Sequence, residues 1–159
     1  VMRLGNGALE RLTVTRRAAE ASPSWSPDGS RLVYVSDSSG APQLYMTTRR
    51  GGRRRRLTYR GRENVSPDWG PDGRIVYSSR RQGAYQVCVY DPETGDETQV
   101  TTDRADYENP CWTPDGRHVL VGRTERYVTD VYLLDTLGDA SVRLTTLQGD
   151  WHSPACAPR

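Results

Sequence analysis

The stretches "SPSWSPDGSRLVYVS" (22–36), "SPDWGPDGRIVYSS" (66–79) and "NPCWTPDGRHVLVG" (109–122) are three copies of one unit, and "SPACAPR" (153–159) starts a fourth. Their prolines, Pro23, Pro67, Pro110 and Pro154, are spaced by 44, 43 and 44 residues. A second marker keeps the same period: "RLT" at 11–13 and 56–58, "QVT" at 99–101 and "RLT" at 143–145. Two markers in phase along a chain of 159 residues define an internal repeat.

Each unit reads as four strands, A to D. Strand A is the short segment that ends in Trp25, Trp69 or Trp112. Then comes Pro-Asp-Gly. Pro suits the second position of a type I turn, Asp tolerates the third, and Gly takes a left-handed backbone. Asp28-Gly29, Asp72-Gly73 and Asp115-Gly116 are therefore expected at the tips of A–B hairpins. Strands B ("RLVYVS", "RIVYSS", "RHVLVG") and C ("QLYMTT", "QVCVYD", "DVYLLD") are apolar on both faces, as in a sheet sandwiched between two others. Strand D leads into the "RLT" segment. No helical periodicity of useful length occurs.

A four-stranded unit of this length is the period of a β-propeller blade. The fold class is all-β: a β-propeller of four-stranded blades of 43–44 residues, present as about three and a half blades. The expected division is 1–21, the end of a blade (strands C and D); blades at 22–65, 66–108 and 109–152; and a closing strand A at 153–159. The three tryptophans are expected to pack between blades. Propellers have about 4–8 blades, and a partial ring would leave raw edges. The chain is therefore expected to be part of a six-bladed ring. The other blades would come from a longer chain or from self-association.

The "SPxWSPDG…IVY" unit resembles the PD-type, WD-repeat-like propeller repeat of the TolB family of the Tol-Pal system. The same repeat type occurs in propellers of prolyl-oligopeptidase-like serine peptidases and in bacterial sensor proteins. The resemblance covers 9–159, and "SPACAPR" looks like the lone "PAWSP" strand that ends TolB propellers, with Cys156 in place of Trp. It implies a periplasmic scaffold without catalysis or cofactor, whose protein partner is a Pal-like lipoprotein received at the channel mouth. The alternatives it implies are the substrate-gating propeller of a serine peptidase whose catalytic domain lies outside this chain, or a sensor domain.

The residues themselves contain no GxSxG nucleophile elbow, no P-loop and no dinucleotide fingerprint. His118 falls in a strand B, where a core or edge role is expected. His152 precedes a strand A and is placed to face the tunnel. Cys88, Cys111 and Cys156 form no CxxC pair and no zinc spacing; free buried thiols are expected, with one disulfide as the lesser alternative. No metal site is expected. No apolar run is long enough for a membrane helix, so no membrane span is expected.

Strand A is the innermost strand of a blade, so the loop entering it borders the channel. Four residues before the repeat proline stand Glu63, Asp106 and Asp150, and Glu20 lies one place later in the first copy. Repeated by symmetry, such acids either make a negative funnel for a basic peptide segment or remain ordinary solvated loop charges. Tyr107 and Trp151 beside them are candidate apolar anchors, or packing residues.

Net charge is only +2, there is no Lys, so Arg alone carries the fixed positive charge, and there is no Phe. That balance argues against a nucleic-acid partner, despite "RRGGRRRRLT" at 49–58. In register with the other blades, Gly51-Gly52 is expected at the tip of a C–D hairpin, with Arg49 and Arg50 closing strand C and Arg53 to Arg56 entering strand D. The matching turns carry Asp91, Glu93, Asp96 and Glu97, then Asp135 and Asp139. The arginines are thus expected to solubilise and guard one outer edge.

Overall fold

The computed structural model describes residues 1–2, 5–138, 140–146 and 149–156. Asp139 and the end of the closing strand, residues 157–159, lie outside the described residues. The described chain holds twelve strands and no helix. They form three antiparallel sheets, each a meander in chain order. The first is β1 (Glu20–Trp25), β2 (Arg31–Ser36), β3 (Gln43–Thr48) and β4 (Gly51–Arg56). The second is β5 (Asn64–Trp69), β6 (Ile75–Arg81), β7 (Ala84–Tyr90) and β8 (Glu97–Gln99). The third is β9 (Asp106–Trp112), β10 (His118–Glu125), β11 (Val128–Asp135) and β12 (Ser141–Arg143).

The A–B hairpins close on Pro-Asp-Gly. Gly29, Gly73 and Gly116 have φ of 65°, 90° and 68°, and their N–H groups donate to the carbonyls of Ser26, Gly70 and Thr113 at 2.8, 3.1 and 3.1 Å. The aspartates do more than tolerate the turn. Asp28 accepts from the Ser26 hydroxyl at 2.6 Å and from the Ser30 hydroxyl at 2.7 Å and N–H at 3.1 Å. Asp115 accepts from the Thr113 hydroxyl at 2.6 Å and from the N–H groups of Arg117 and His118 at 2.8 and 3.0 Å. These donors hold both carboxyls well below the usual carboxylate range, the Ser26 and Thr113 hydroxyls contributing most.

The "RLT" marker also has a physical cause. Leu57, Val100 and Leu144 each donate an N–H to strand C, at Leu44, Val87 and Val131, all at 2.8 Å. The next residue then turns its hydroxyl back. Thr58, Thr101 and Thr145 accept the N–H of those same strand C residues at 3.0, 2.9 and 3.2 Å. One Leu-Thr pair thus extends the C–D ladder beyond the assigned strand.

Two cores lie between sheets. Trp69, Ile75, Tyr77 and Tyr90 of the second sheet pack on Val33, Val35, Leu44 and Leu57 of the first. Trp112, Val119, Val121 and Tyr107 of the third pack on Val76, Val87 and Val89 of the second. Trp69 and Trp112 are 6% and 4% exposed, whereas Trp25, facing no preceding sheet, is 39% exposed. At Gly70 a Cβ would stand 2.7 Å from the Trp112 indole, so a glycine is what lets that ring lie against the backbone.

One expectation needs correction. The tip of the third hairpin of the first sheet is Arg49-Arg50, not Gly51-Gly52, because Thr48 pairs directly with Gly51. The glycines open β4 with φ of 72° and 96°. A Cβ on Gly51 would meet the Leu12 carbonyl oxygen at 2.6 Å, so the crossing N-terminal segment demands glycine there. Residues 1–21 are expected to end a blade with strands C and D, and β1 takes in Glu20 and Ala21 of them. The described residues before β1 form only an isolated bridge, Met2 to Leu9, with reciprocal bonds between Val1 and Glu10 at 2.8 Å. A two-residue bridge without neighbours on both sides does not extend into a ladder.

The arginines lie along β4, the outer strand. Arg54 covers the Tyr45 ring at 5.1 Å and Arg56 the Tyr59 ring at 4.7 Å. Arg55 donates to the Pro92 carbonyl at 3.1 Å. Three of the four consecutive arginines are thus engaged locally.

Candidate functional site

The first strands of the three sheets, β1, β5 and β9, and the segment 153–156 stand side by side around one concave cleft of about 840 Å³. Its wall repeats a single backbone device. The residue before each repeat proline is left-handed: Ser22, Ser66, Asn109 and Ser153 have φ of 50°, 51°, 53° and 49°. Pre-proline residues ordinarily favour extended backbone, so the sheet spends strain at each copy. The strain breaks the A–B register locally, between Ala21 and Ser24 in β1 and between Val65 and Asp68 in β5. Small polar side chains at these sites then link neighbouring strands. Ser66 donates to Asn109 Oδ1 at 2.9 Å, and Asn109 donates to Ser153 Oγ at 3.2 Å.

A second set of rungs runs two residues further on. The Trp69 N–H donates to Ser24 Oγ at 3.0 Å, and the Trp112 N–H donates to Asp68 Oδ2 at 2.8 Å. Ser24 also donates to Asp68 Oδ1 at 3.3 Å. Asp68 lines the cleft, and burial pushes its carboxyl above the usual value against the pull of these donors. Sequence reasoning missed Asp68. The signal was available, since it occupies the strand A position of Ser24 and Cys111, but one copy in three carries an acid there.

None of Glu20, Glu63, Asp106 and Asp150 lines the cleft. They stand at the heads of the inner strands and hold loops together. Asp106 accepts the Tyr85 N–H at 2.8 Å, and Asp150 accepts the Thr129 N–H at 3.3 Å, the same place at the start of β7 and β11. Glu63 accepts from the Tyr85 hydroxyl at 2.7 Å and Glu20 from the Thr15 hydroxyl at 2.7 Å. Tyr107 is 5% exposed. Its hydroxyl donates to Asp103 at 3.0 Å and accepts from Arg123 at 3.0 Å, so it is a packing residue. Trp151 is 42% exposed and its N–H donates to the Thr129 carbonyl at 3.0 Å.

His118 is half-buried, with Nδ1 2.6 Å from Asp115 Oδ2. His152 is exposed and is not part of the cleft wall. Among the described residues no three His, Cys, Asp or Glu side chains gather in a way that could hold a metal ion. No helix among them is long and apolar enough to cross a membrane.

The chain resembles proteins whose propellers are built on this plan. It is 37% identical over 67 residues to the Tol-Pal system protein TolB of Alcanivorax borkumensis, covering 40% of this chain and 15% of that protein. It is 46% identical over 52 residues to an uncharacterized peptidase, YuxL, of Bacillus subtilis, covering 32% of this chain and 8% of that one. The chain thus spans a minor part of these relatives. Among solved structures, TolB from Acinetobacter baumannii superposes with a TM-score of 0.81 at 26% identity, over 96% of this chain and 38% of that chain. A puromycin hydrolase superposes with a TM-score of 0.73 at 19% identity, over 88% and 24% of the two chains, and shows the shared fold alone. The family model of the TolB beta propeller domain matches residues 1–159: the chain belongs to that family.

Proposed function

We propose that this chain is part of a protein-interaction propeller of the Tol-Pal type, working in the periplasm. It receives a partner protein, a Pal-like lipoprotein, at the end of the cleft where the acids stand, and it makes and breaks no covalent bond. The observation that carries this reading is the superposition on TolB over nearly the whole chain. The recurrence of Glu63, Asp106 and Asp150 at the heads of successive inner strands supports the location. Each has one carboxylate oxygen tied to the start of a strand C, at Tyr85 or Thr129, and the charge of the group remains to attract a basic segment. Trp151 supplies an exposed ring beside them. Further blades from a longer chain complete the ring, as the 38% coverage of the Acinetobacter chain supports.

The test uses the soluble domain of a Pal-like lipoprotein and the triple variant Glu63→Gln, Asp106→Asn, Asp150→Asn. These amides keep the acceptor oxygens that Tyr85 and Thr129 use, so the loops hold while the charge goes. Calorimetry should show affinity falling about tenfold or more at low salt, and less at high salt. Unchanged affinity at both salt concentrations rejects the acidic mouth as the docking place.

A second reading is favoured by the likeness to YuxL and to puromycin hydrolase. In it the propeller screens substrates for a serine peptidase whose catalytic domain lies outside these residues. The full-length gene product would then be labelled by a fluorophosphonate and cleave aminoacyl substrates. Absence of labelling removes that reading.

A further inference from the structure

Two of the three cysteines break the repeat at adjoining places. Cys111 occupies in β9 the position that is Ser24 in β1 and Asp68 in β5, and Cys156 occupies the position of Trp25, Trp69 and Trp112. In the earlier copies the first of these side chains accepts the N–H of the next copy's Trp. Here the two positions meet through sulfur: the Cys156 thiol donates to the Cys111 carbonyl at 3.4 Å. Both residues line the cleft, and all three cysteines are free thiols. The third, Cys88, is fully buried between the first two sheets.

We propose that Cys111 and Cys156 are a disulfide-forming pair, oxidised by thiol–disulfide exchange with an oxidised dithiol or glutathione-type disulfide, which latches segment 153–156 to β9. The segment needs a latch of some kind. Position 156 lacks the indole that anchors the inner strand in the second and third sheets, and among the described residues the segment is tied by hydrogen bonds from Asn109 to Ser153 and from the Cys156 sulfur to the Cys111 carbonyl. A covalent bond at this seam closes a loop that spans the whole third blade, and such closure restricts the unfolded chain more than it strains a pair already in contact.

The exchange balances as follows. The Cys156 thiol loses its proton and attacks the disulfide RSSR, forming a mixed disulfide and expelling RS⁻, which takes up a proton. The Cys111 thiol then loses its proton and attacks the Cys156 sulfur, releasing a second RSH. Two protein thiols are oxidised to one disulfide, and RSSR is reduced to two RSH. Burial raises both thiols above their ordinary value, so the exchange quickens as the pH rises and more thiolate forms, and the balance is the same with the roles of the two cysteines exchanged.

The chain is incubated with oxidised glutathione, then unfolded and its remaining thiols counted with a maleimide. Two of the three should be lost. Tryptic mapping without reductant should join peptide 105–117 to peptide 144–159. Cys88→Ser should keep the link, and Cys156→Ser should abolish it. Amide exchange at 153–156 should slow at least tenfold on oxidation, with residues 22–25 unaffected. A link that involves Cys88, glutathione adducts without any link, or a linked chain whose closing segment exchanges at the old rate would each overturn the proposal. Because the readout is the bond itself in the unmutated chain, a variant that fails to fold does not spare it.

Discussion

The third sheet meets its two neighbours in different ways. Toward the second sheet it inserts Trp112 among Val76, Val87 and Val89, and the ring is 4% exposed. Arg74, at the start of strand B in the second sheet, covers that indole at 5.0 Å, as Arg31 covers Trp69 at 5.2 Å one sheet earlier. Toward the closing segment the third sheet turns Leu120, Val131 and Leu133, and these stay half-buried. The residue there is Cys156, its sulfur on the carbonyl of Cys111, which pairs with Leu120 across the sheet. Arg117, the counterpart of Arg31 and Arg74, has no ring to cover and forks onto Asp135 instead, at 3.0 and 2.7 Å. The seam with a whole sheet on each side buries its indole and stacks its arginine, whereas the seam with only residues 149–156 described on one side does neither.

The largest test of this contrast is Trp112→Ala against Cys156→Ala. The first leaves a cavity in a packed seam and should cost about 3–5 kcal/mol. The second should cost less than about 1 kcal/mol, the scale of a change away from a packed core. Denaturant unfolding of the two variants measures the difference directly, and equal losses would break the comparison.

Next comes the rung between the inner strands. Asp68→Ala strips the acceptor from the buried Trp112 N–H and should cost about 1–3 kcal/mol. Cys111→Ala, at the same position one sheet later, removes only a weak sulfur acceptor and should cost less than about 1 kcal/mol in the reduced protein. Cys156→Trp runs the comparison in reverse. The new indole covers Leu120, Val131 and Leu133 and should add about 1.5 kcal/mol, the lower end for burying a large apolar side chain. Arg117 should then leave Asp135 for the ring, visible as a slower-exchanging, shifted guanidinium signal.

The smallest effect is set by pH at the hairpin tips, which are alike in the first and third sheets. Asp28 and Asp115 are held below the ordinary carboxylate range in the folded protein. A depressed carboxyl stabilises the fold above its unfolded value, about 4, and that contribution is lost as pH falls through the folded value. Asp28→Asn and Asp115→Asn should each flatten the acid side of the stability curve and leave the neutral side nearly level. Two different slopes would show that the tips are not equivalent.

The blade plan was legible because each of its signals is local. Pro-Asp-Gly carries its own turn, and the apolar-Thr pair that follows strand D extends the C–D ladder by bonds to strand C, as Thr58, Thr101 and Thr145 show. The candidate site was only half legible. The register of Glu63, Asp106 and Asp150 could be read from spacing, but not that Asp106 and Asp150 spend an oxygen on strand C, nor that Tyr107 is buried against Arg123 and Asp103. Those partners lie in other strands. The hairpin tip at Arg49-Arg50 was displaced for the same reason: Leu12, far off in sequence, occupies the space in which a Cβ on Gly51 would sit.

The sequence by itself determined the repeat, the strand order within each sheet and the turns, since all of these rest on contacts between near neighbours in the chain. Tertiary structure decided what each repeated residue does. Trp25, Trp69 and Trp112 are equivalent in the repeat, yet the first is exposed and the others buried. Cys111 and Cys156 are separated by a whole blade, yet they touch. Burial and proximity belong to the neighbour as much as to the residue, and only the packing of one sheet on the next supplies the neighbour.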